Sequence, residues 1–118
     1  MKRRSKYNAR KVELFGIRFD SKAEADRYLV LRSLEEQGRI EDLDVHPKYR
    51  LLKAFRNADG KLVRGMTYTP DFRYVDAEGR VIVEDVKGGR ATQTRAFVDK
   101  AKWFQKLNPD VHFRVVES

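Results

Sequence analysis

Two short stretches hold side chains of the kinds that do acid, base and metal chemistry: Thr69-Pro70-Asp71-Phe72 and Val83-Glu84-Asp85-Val86-Lys87. Side chains alternate faces along a strand, so Asp85 and Lys87 share one face and Glu84 points to the other. A hairpin that pairs Val75 with Val81 also pairs Asp71 with Asp85. That register fits the three-residue loop Ala77-Glu78-Gly79, with Gly79 left-handed; a four-residue loop would shift the parity and separate the aspartates. Carboxylates placed directly opposite one another repel. A divalent cation offsets the repulsion, since hard cations take carboxylate oxygens. The alternative is that both acids sit at strand ends in water. An ammonium at Lys87 can activate a water or stabilise charge on a phosphate, or simply pair with Asp85.

The elements that must position these groups can be read in outline. Ser21 with Glu24 three residues later is a capping-box pattern and opens a helix over about Lys22–Gln37, stopped by Gly38. Glu24, Tyr28, Leu31 and Leu34 fall on one stripe of it, so Glu24 lies at the N-terminal end of the inward face. It can cap the helix, serve the site, or both. A second helix is expected over about Gln93–Leu107, after the Gly88-Gly89 break and before Asn108-Pro109. Phe97, Phe104 and Leu107 define its apolar stripe. At about 100° per residue, Gln93 and Lys100 project onto the same stripe and Lys102 projects away. A buried lysine is costly unless paired, so Lys100 either reaches a polar cleft or snorkels to the rim.

Strands are expected at Tyr49–Phe55 and Leu62–Tyr68 around Asn57-Ala58-Asp59-Gly60, at Phe72–Val75 and Val81–Val86, and at Val111–Val116. Val12, Leu14, Ile17 and Phe19 flank Gly16 and suggest a short hairpin. The segment from Ile40 to Tyr49 is ambiguous and broken by Pro47. His46 precedes Pro47 and can sit near the cleft but has no assignable role; His112 reads as an outward strand residue, and Trp103 as core or dimer surface. The expected class is α+β, a mixed central sheet flanked by helices, in one domain spanning residues 1–118.

Composition narrows the partners. The chain has 26 Lys+Arg against 18 Asp+Glu, a formal net charge of +8. Lys2, Arg3, Arg4, Lys6, Arg10 and Lys11 form a basic N-terminal arm over residues 1–11 with no acid. Arg90 and Gln93 are further DNA-facing candidates. The balance points to a polyanion, and nucleic acid is the usual one. The absence of cysteine excludes a disulfide scaffold, a thiolate zinc site and a cysteine nucleophile; two histidines exclude a multi-histidine metal site. No apolar run approaches the roughly 20 residues of a membrane span, and the charged N-terminus lacks the apolar region of a secretory signal. A soluble, cytoplasmic protein is expected.

Glu24 on a first helix, then Pro70-Asp71, then Asp85-Val86-Lys87, resembles the PD-(D/E)XK nuclease superfamily. Phe19-Asp20-Ser21-Lys22-Ala23-Glu24-Ala25, Thr69-Pro70-Asp71-Phe72 and Glu84-Asp85-Val86-Lys87-Gly88 are similar to small phage-encoded nucleases of the domain-of-unknown-function type. Archaeal-type Holliday junction resolvases and transposon end-cleaving nuclease subunits share the site pattern. The resemblance covers about Val12 to Val116. It implies a restriction-endonuclease-like core of helix, three-strand meander, helix and strand. It implies Asp71 and Asp85 as metal ligands, with the Val86 carbonyl as a third. Lys87 would position the attacking water, and Glu24 would ligate or stand behind the ligands. Asp at 85 replaces the more frequent Glu. The implied activity is Mg2+-dependent cleavage of DNA, with Mn2+ substituting, on branched substrates in phage recombination or replication, by a homodimer in the host cytoplasm. The alternatives are a non-catalytic nucleic-acid-binding accessory protein and a nuclease subunit that needs a partner.

Overall fold

A computed structural model describes residues 11–88 and 93–117. The chain opens with a hairpin, β1 (Val12–Leu14) and β2 (Ile17–Phe19), and helix α1 (Lys22–Glu36) follows. Ser21 caps α1: its Oγ accepts from the Glu24 N–H at 3.1 Å, and the Glu24 carboxylate reaches back to the Asp20 N–H at 3.3 Å. The Ser21 half of the capping box read from the sequence is therefore formed, while the Glu24 carboxylate reaches one residue before the cap. The face of α1 carrying Ala25, Tyr28 and Leu31 is buried against Phe19, Phe72, Tyr74 and Ile82. Each such side chain contributes roughly 1.5–3 kcal/mol by leaving water.

The main sheet has the order β10-β9-β8-β3, built from β3 (Glu41–Val45), β8 (Phe72–Val75), β9 (Val81–Lys87) and β10 (His112–Glu117). β8 and β9 are antiparallel with Val75 opposite Val81, the expected register. Their loop also has the expected form: Gly79 sits at φ +80, and Asp76 closes it by accepting from the Glu78 and Arg80 N–H groups and pairing with the Arg80 guanidinium at 2.7 Å. β10 runs parallel to β9, which requires the crossover supplied by α2 (Arg95–Leu107). The structure is thus α+β with a mixed sheet, as the element order implied.

The strand faces divide the molecule. Ile82, Glu84 and Val86 look toward α1, whereas Val83, Asp85 and Lys87 look toward α2. The second core lies on the α2 side, where Val83 packs with Phe104, Tyr68 and Leu51. Tyr68 and Leu51 belong to a separate ribbon. β4 (Tyr49–Leu52) pairs with β7 (Met66–Tyr68), and β5 (Phe55–Arg56) pairs with β6 (Leu62–Val63) beyond it. The two strands expected here are each broken in two. The register shifts between Arg50 and Leu52, and the ladder is interrupted next to Gly65, where a Cβ would lie 2.5 Å from the Leu52 carbonyl oxygen.

Three expectations need correction. The ambiguous segment holds β3, an edge strand whose alternation is disrupted at Asp42 (φ 57) and Leu43; the freed Leu43 N–H donates to Glu35 of α1 at 2.9 Å. α2 begins at Arg95, not Gln93, because extended Thr94 caps it by accepting from the Phe97 N–H at 3.1 Å. Gln93 precedes the helix, so helical phasing does not apply to it. Leu107 is exposed, and Ala101 takes its place beside Phe104 in the buried stripe. No helix is long and apolar enough to cross a membrane among the described residues.

Candidate metal centre

Asp71 precedes β8 and is fixed by backbone bonds on both sides. Its N–H donates to the Glu84 carbonyl at 3.1 Å, and its own carbonyl accepts the His46 N–H at 2.9 Å. The β8–β9 register extends by one step to set it against Asp85. The Asp71 carboxyl neighbours that of Asp85 closely enough to feel its charge, and Asp71 Oδ2 accepts the Val86 N–H at 2.6 Å. Val86 therefore contacts the centre through its N–H.

Glu24 arrives from the start of α1 and is only 4% exposed. Its Oε1 is 2.5 Å from His46 Nε2. Ligand atoms of Glu24, His46 and Asp71 lie within 4.8 Å of one another. His46 was missed in the sequence because β3 went unread: that strand delivers it, and His46 itself holds a left-handed backbone (φ 54) at the turn before buried Pro47. Left-handed non-glycine residues of this kind cluster at functional sites.

On the other flank, Asp85 Oδ2 accepts a hydrogen bond from the Tyr68 hydroxyl, and Lys87 Nζ stands 3.6 Å from Asp85 Oδ1. Lys87 also lies over the Phe97 ring at 4.3 Å, a cation–π contact that holds the ammonium at the cleft. Lys100 Nζ donates to the Thr67 carbonyl at 3.1 Å. It reaches the cleft without touching a site carboxylate, and Lys102 is exposed, as phased. These groups line an open cleft of about 450 Å³ bounded by Asp20, Tyr68, Asp71, Asp85, Lys87 and Lys100. A hollow of about 500 Å³ between α1 and the β9–β10 edge has apolar walls from Val30, Val86 and Val116, and its acids Asp26 and Glu117 lie among the cations Lys22 and Arg27.

The electrostatics favour a cation. Burial, then the neighbouring Asp85 carboxyl, then Glu24, push the Asp71 carboxyl up to about 9. Burial and the Asp85 charge raise the Tyr68 hydroxyl far above its ordinary value, so it stays a donor. A half-buried and a buried carboxyl side by side, with a third acid and an imidazole adjacent, suit a hard divalent ion such as Mg2+ or Mn2+. Glu24, His46 and Asp71 bring their ligand atoms together and could hold it, with Asp85 adjoining through Asp71.

A third buried acid, Glu84, lies on the opposite face as read, but its partners were missed. Glu84 is 1% exposed, receives both Nε and Nη2 of Arg27 at 2.8 and 2.7 Å, and accepts from the Tyr74 hydroxyl. An acid in the apolar run Val81-Ile82-Val83, on the face opposite Asp85, was the available signal. Of the basic arm, Lys11 is exposed; Lys2, Arg3, Arg4, Lys6 and Arg10, together with Arg90, lie outside the described residues. Half-buried Trp103 packs against the second core, and His112 faces outward, as read.

No curated protein and no solved structure matches the chain. The family described as protein of unknown function (DUF1064) matches residues 4–118, nearly the whole length, and the chain belongs to that family.

Proposed function

We propose that this protein is a metal-dependent endonuclease that hydrolyses phosphodiester bonds in DNA, with a preference for branched substrates. The observation that carries the reading is the Asp71–Asp85 carboxyl pair, side by side in an open cleft with Glu24 and His46 beside Asp71 and Lys87 beside Asp85. A bound Mg2+ or Mn2+ would supply Lewis-acid stabilisation of the phosphoryl oxygens and a more acidic water. The chain's own groups have separate tasks. Asp71 and Asp85 would hold the ion, with Glu24 and His46 beside Asp71. The Tyr68 hydroxyl fixes the orientation of Asp85. Lys87 brings a positive charge to where the attacking water and the phosphate meet. Lys100 adds a second charge at the rim.

The formal charge of +8 suits a polyanionic substrate. Cutting a symmetric branch requires two sites, so the reading includes a homodimer, working in the cytoplasm of the host cell. The test is Mg2+-dependent cleavage of a four-way DNA junction compared with linear duplex, single-stranded DNA and RNA. Metal-dependent nicking that disappears in Asp85→Asn is expected. DNA binding without cleavage by the purified protein would favour an accessory role, and cleavage only with a partner protein would make the chain a subunit.

A further inference from the structure

The ribbon from Lys48 to Tyr68 has a composition unlike the rest of the chain. It holds Lys48, Arg50, Lys53, Arg56, Lys61 and Arg64 against one acid, Asp59. All six cations are exposed, and none of them forms an ion pair among the described residues. The tip also exposes Phe55 (46%) and Leu62 (62%). Phe55 pairs with Val63 and Arg56 with Leu62, so Phe55 and Leu62 stand on opposite faces of the ribbon. From Tyr49 to the Asn57 turn the strands can reach about 25 Å.

The base of this ribbon is the wall of the acidic cleft. Thr67 gives its carbonyl to Lys100, Tyr68 gives its hydroxyl to Asp85, and Asp71 follows three residues later. A polymer lying along the ribbon therefore passes the cleft. Unpaired cations on both strands call for phosphates, and a two-stranded ribbon fits a DNA groove. Exposed apolar side chains at the tip of a cationic ribbon suit bases that are open to stacking or wedging.

We propose that the Lys48–Tyr68 ribbon is a DNA-grasping arm: its cations hold the backbone beside the cleft, and Phe55 and Leu62 engage unstacked bases at a branch point. The inference rests on the nuclease reading for its substrate and deepens it. The test measures binding of the full chain to a fluorescent four-way junction and to a linear duplex, in EDTA so that no cleavage occurs. The quadruple variant Lys53→Ala/Arg56→Ala/Lys61→Ala/Arg64→Ala should lose on the order of a hundredfold in affinity for both DNAs, and its log–log salt slope should flatten by about 3. Phe55→Ala/Leu62→Ala should lose about tenfold on the junction and under twofold on the duplex. Arg39→Ala/Lys106→Ala, exposed cations elsewhere, serves as the control and should bind as wild type. All substituted positions are exposed, and thermal melts of each variant verify folding.

Wild-type affinity in the quadruple variant would overturn the arm. So would equal losses on junction and duplex from the apolar pair, tighter binding to RNA, or a loss of self-association in sedimentation without a loss of DNA binding, which would assign the ribbon to a second copy. The two readings fail separately. Arm-dependent DNA binding with no metal-dependent cleavage would sink the nuclease and leave the arm. Cleavage untouched by the arm variants would do the reverse.

Discussion

Glu84 and Asp85 are neighbours on β9, both nearly buried, and they face opposite sides of the sheet. Their surroundings differ in one respect. Glu84 meets a bidentate guanidinium from Arg27 and a hydroxyl from Tyr74. Asp85 meets another carboxyl, a hydroxyl and an ammonium at 3.6 Å. The Arg27–Glu84 pair is internally neutralised, and its charge is matched whether or not anything else binds. The Asp71–Asp85 pair is complete only when it shares a proton or a cation. Carboxylates of the first kind hold a fold together. Those of the second kind weaken it, and are worth keeping only for what they bind.

Substitutions on the two sides of β9 should separate these roles. The largest effect belongs to the acids facing α2. Asp85→Asn or Asp71→Asn should lower single-turnover cleavage by at least about a thousandfold, about 4 kcal/mol of barrier, with DNA binding retained. Near wild-type metal-dependent activity in both would remove the distinction. Next comes the α1 side. Arg27→Ala strands a buried carboxylate, and urea unfolding at neutral pH should show a loss of about 3 kcal/mol. Asp85→Asn should show no such loss.

A smaller effect tests the cleft rim. Lys100→Ala should slow cleavage at saturating enzyme about tenfold, in keeping with a charge-assisted contact of roughly 1.5–3 kcal/mol. Lys102→Ala should leave that rate unchanged, and equal effects would mean that both lysines serve general binding.

The smallest concerns protons. The Asp71 carboxyl is raised from 3.8 to about 9 by burial and by its acidic neighbours. Above its unfolded value the folded protein holds a proton that the unfolded chain has released. The stability tied to Asp71 is therefore full below about pH 4 and is lost as pH rises through about 9. Metal-free Asp71→Asn should lack that decline and exceed the wild type near neutral pH by at least about 1 kcal/mol. Added Mg2+ or Mn2+ should raise the melting temperature of the wild type and not of the variant. Parallel pH profiles for the two proteins would show that Asp71 carries no strain.

What could be read from the sequence was local. The Ser21–Glu24 cap needs three residues, and the Val75–Val81 register follows from one loop length. Those two facts already bring Asp71 to Asp85 and turn Glu24 inward. What could not be read depends on distant partners. Arg27 and Glu84 are 57 residues apart, and His46 and Glu24 are 22 apart; no periodicity encodes either meeting. β3 escaped because its irregularity at Asp42 breaks the alternation that marks a strand. The α2 start shifted because Thr94 competes for the helix terminus through its own side chain.

The parallel pairing of β9 with β10 has a consequence in time. The β8–β9 hairpin joins residues a few positions apart and can close within microseconds. β10 can dock only after α2 has been made and has crossed back over the sheet. In folding, the two aspartates can therefore meet before Lys100 of α2 is in place. The wall that carries Lys100 arrives when α2 packs over the sheet. Until then the paired acids lack the Lys100 side of their cleft.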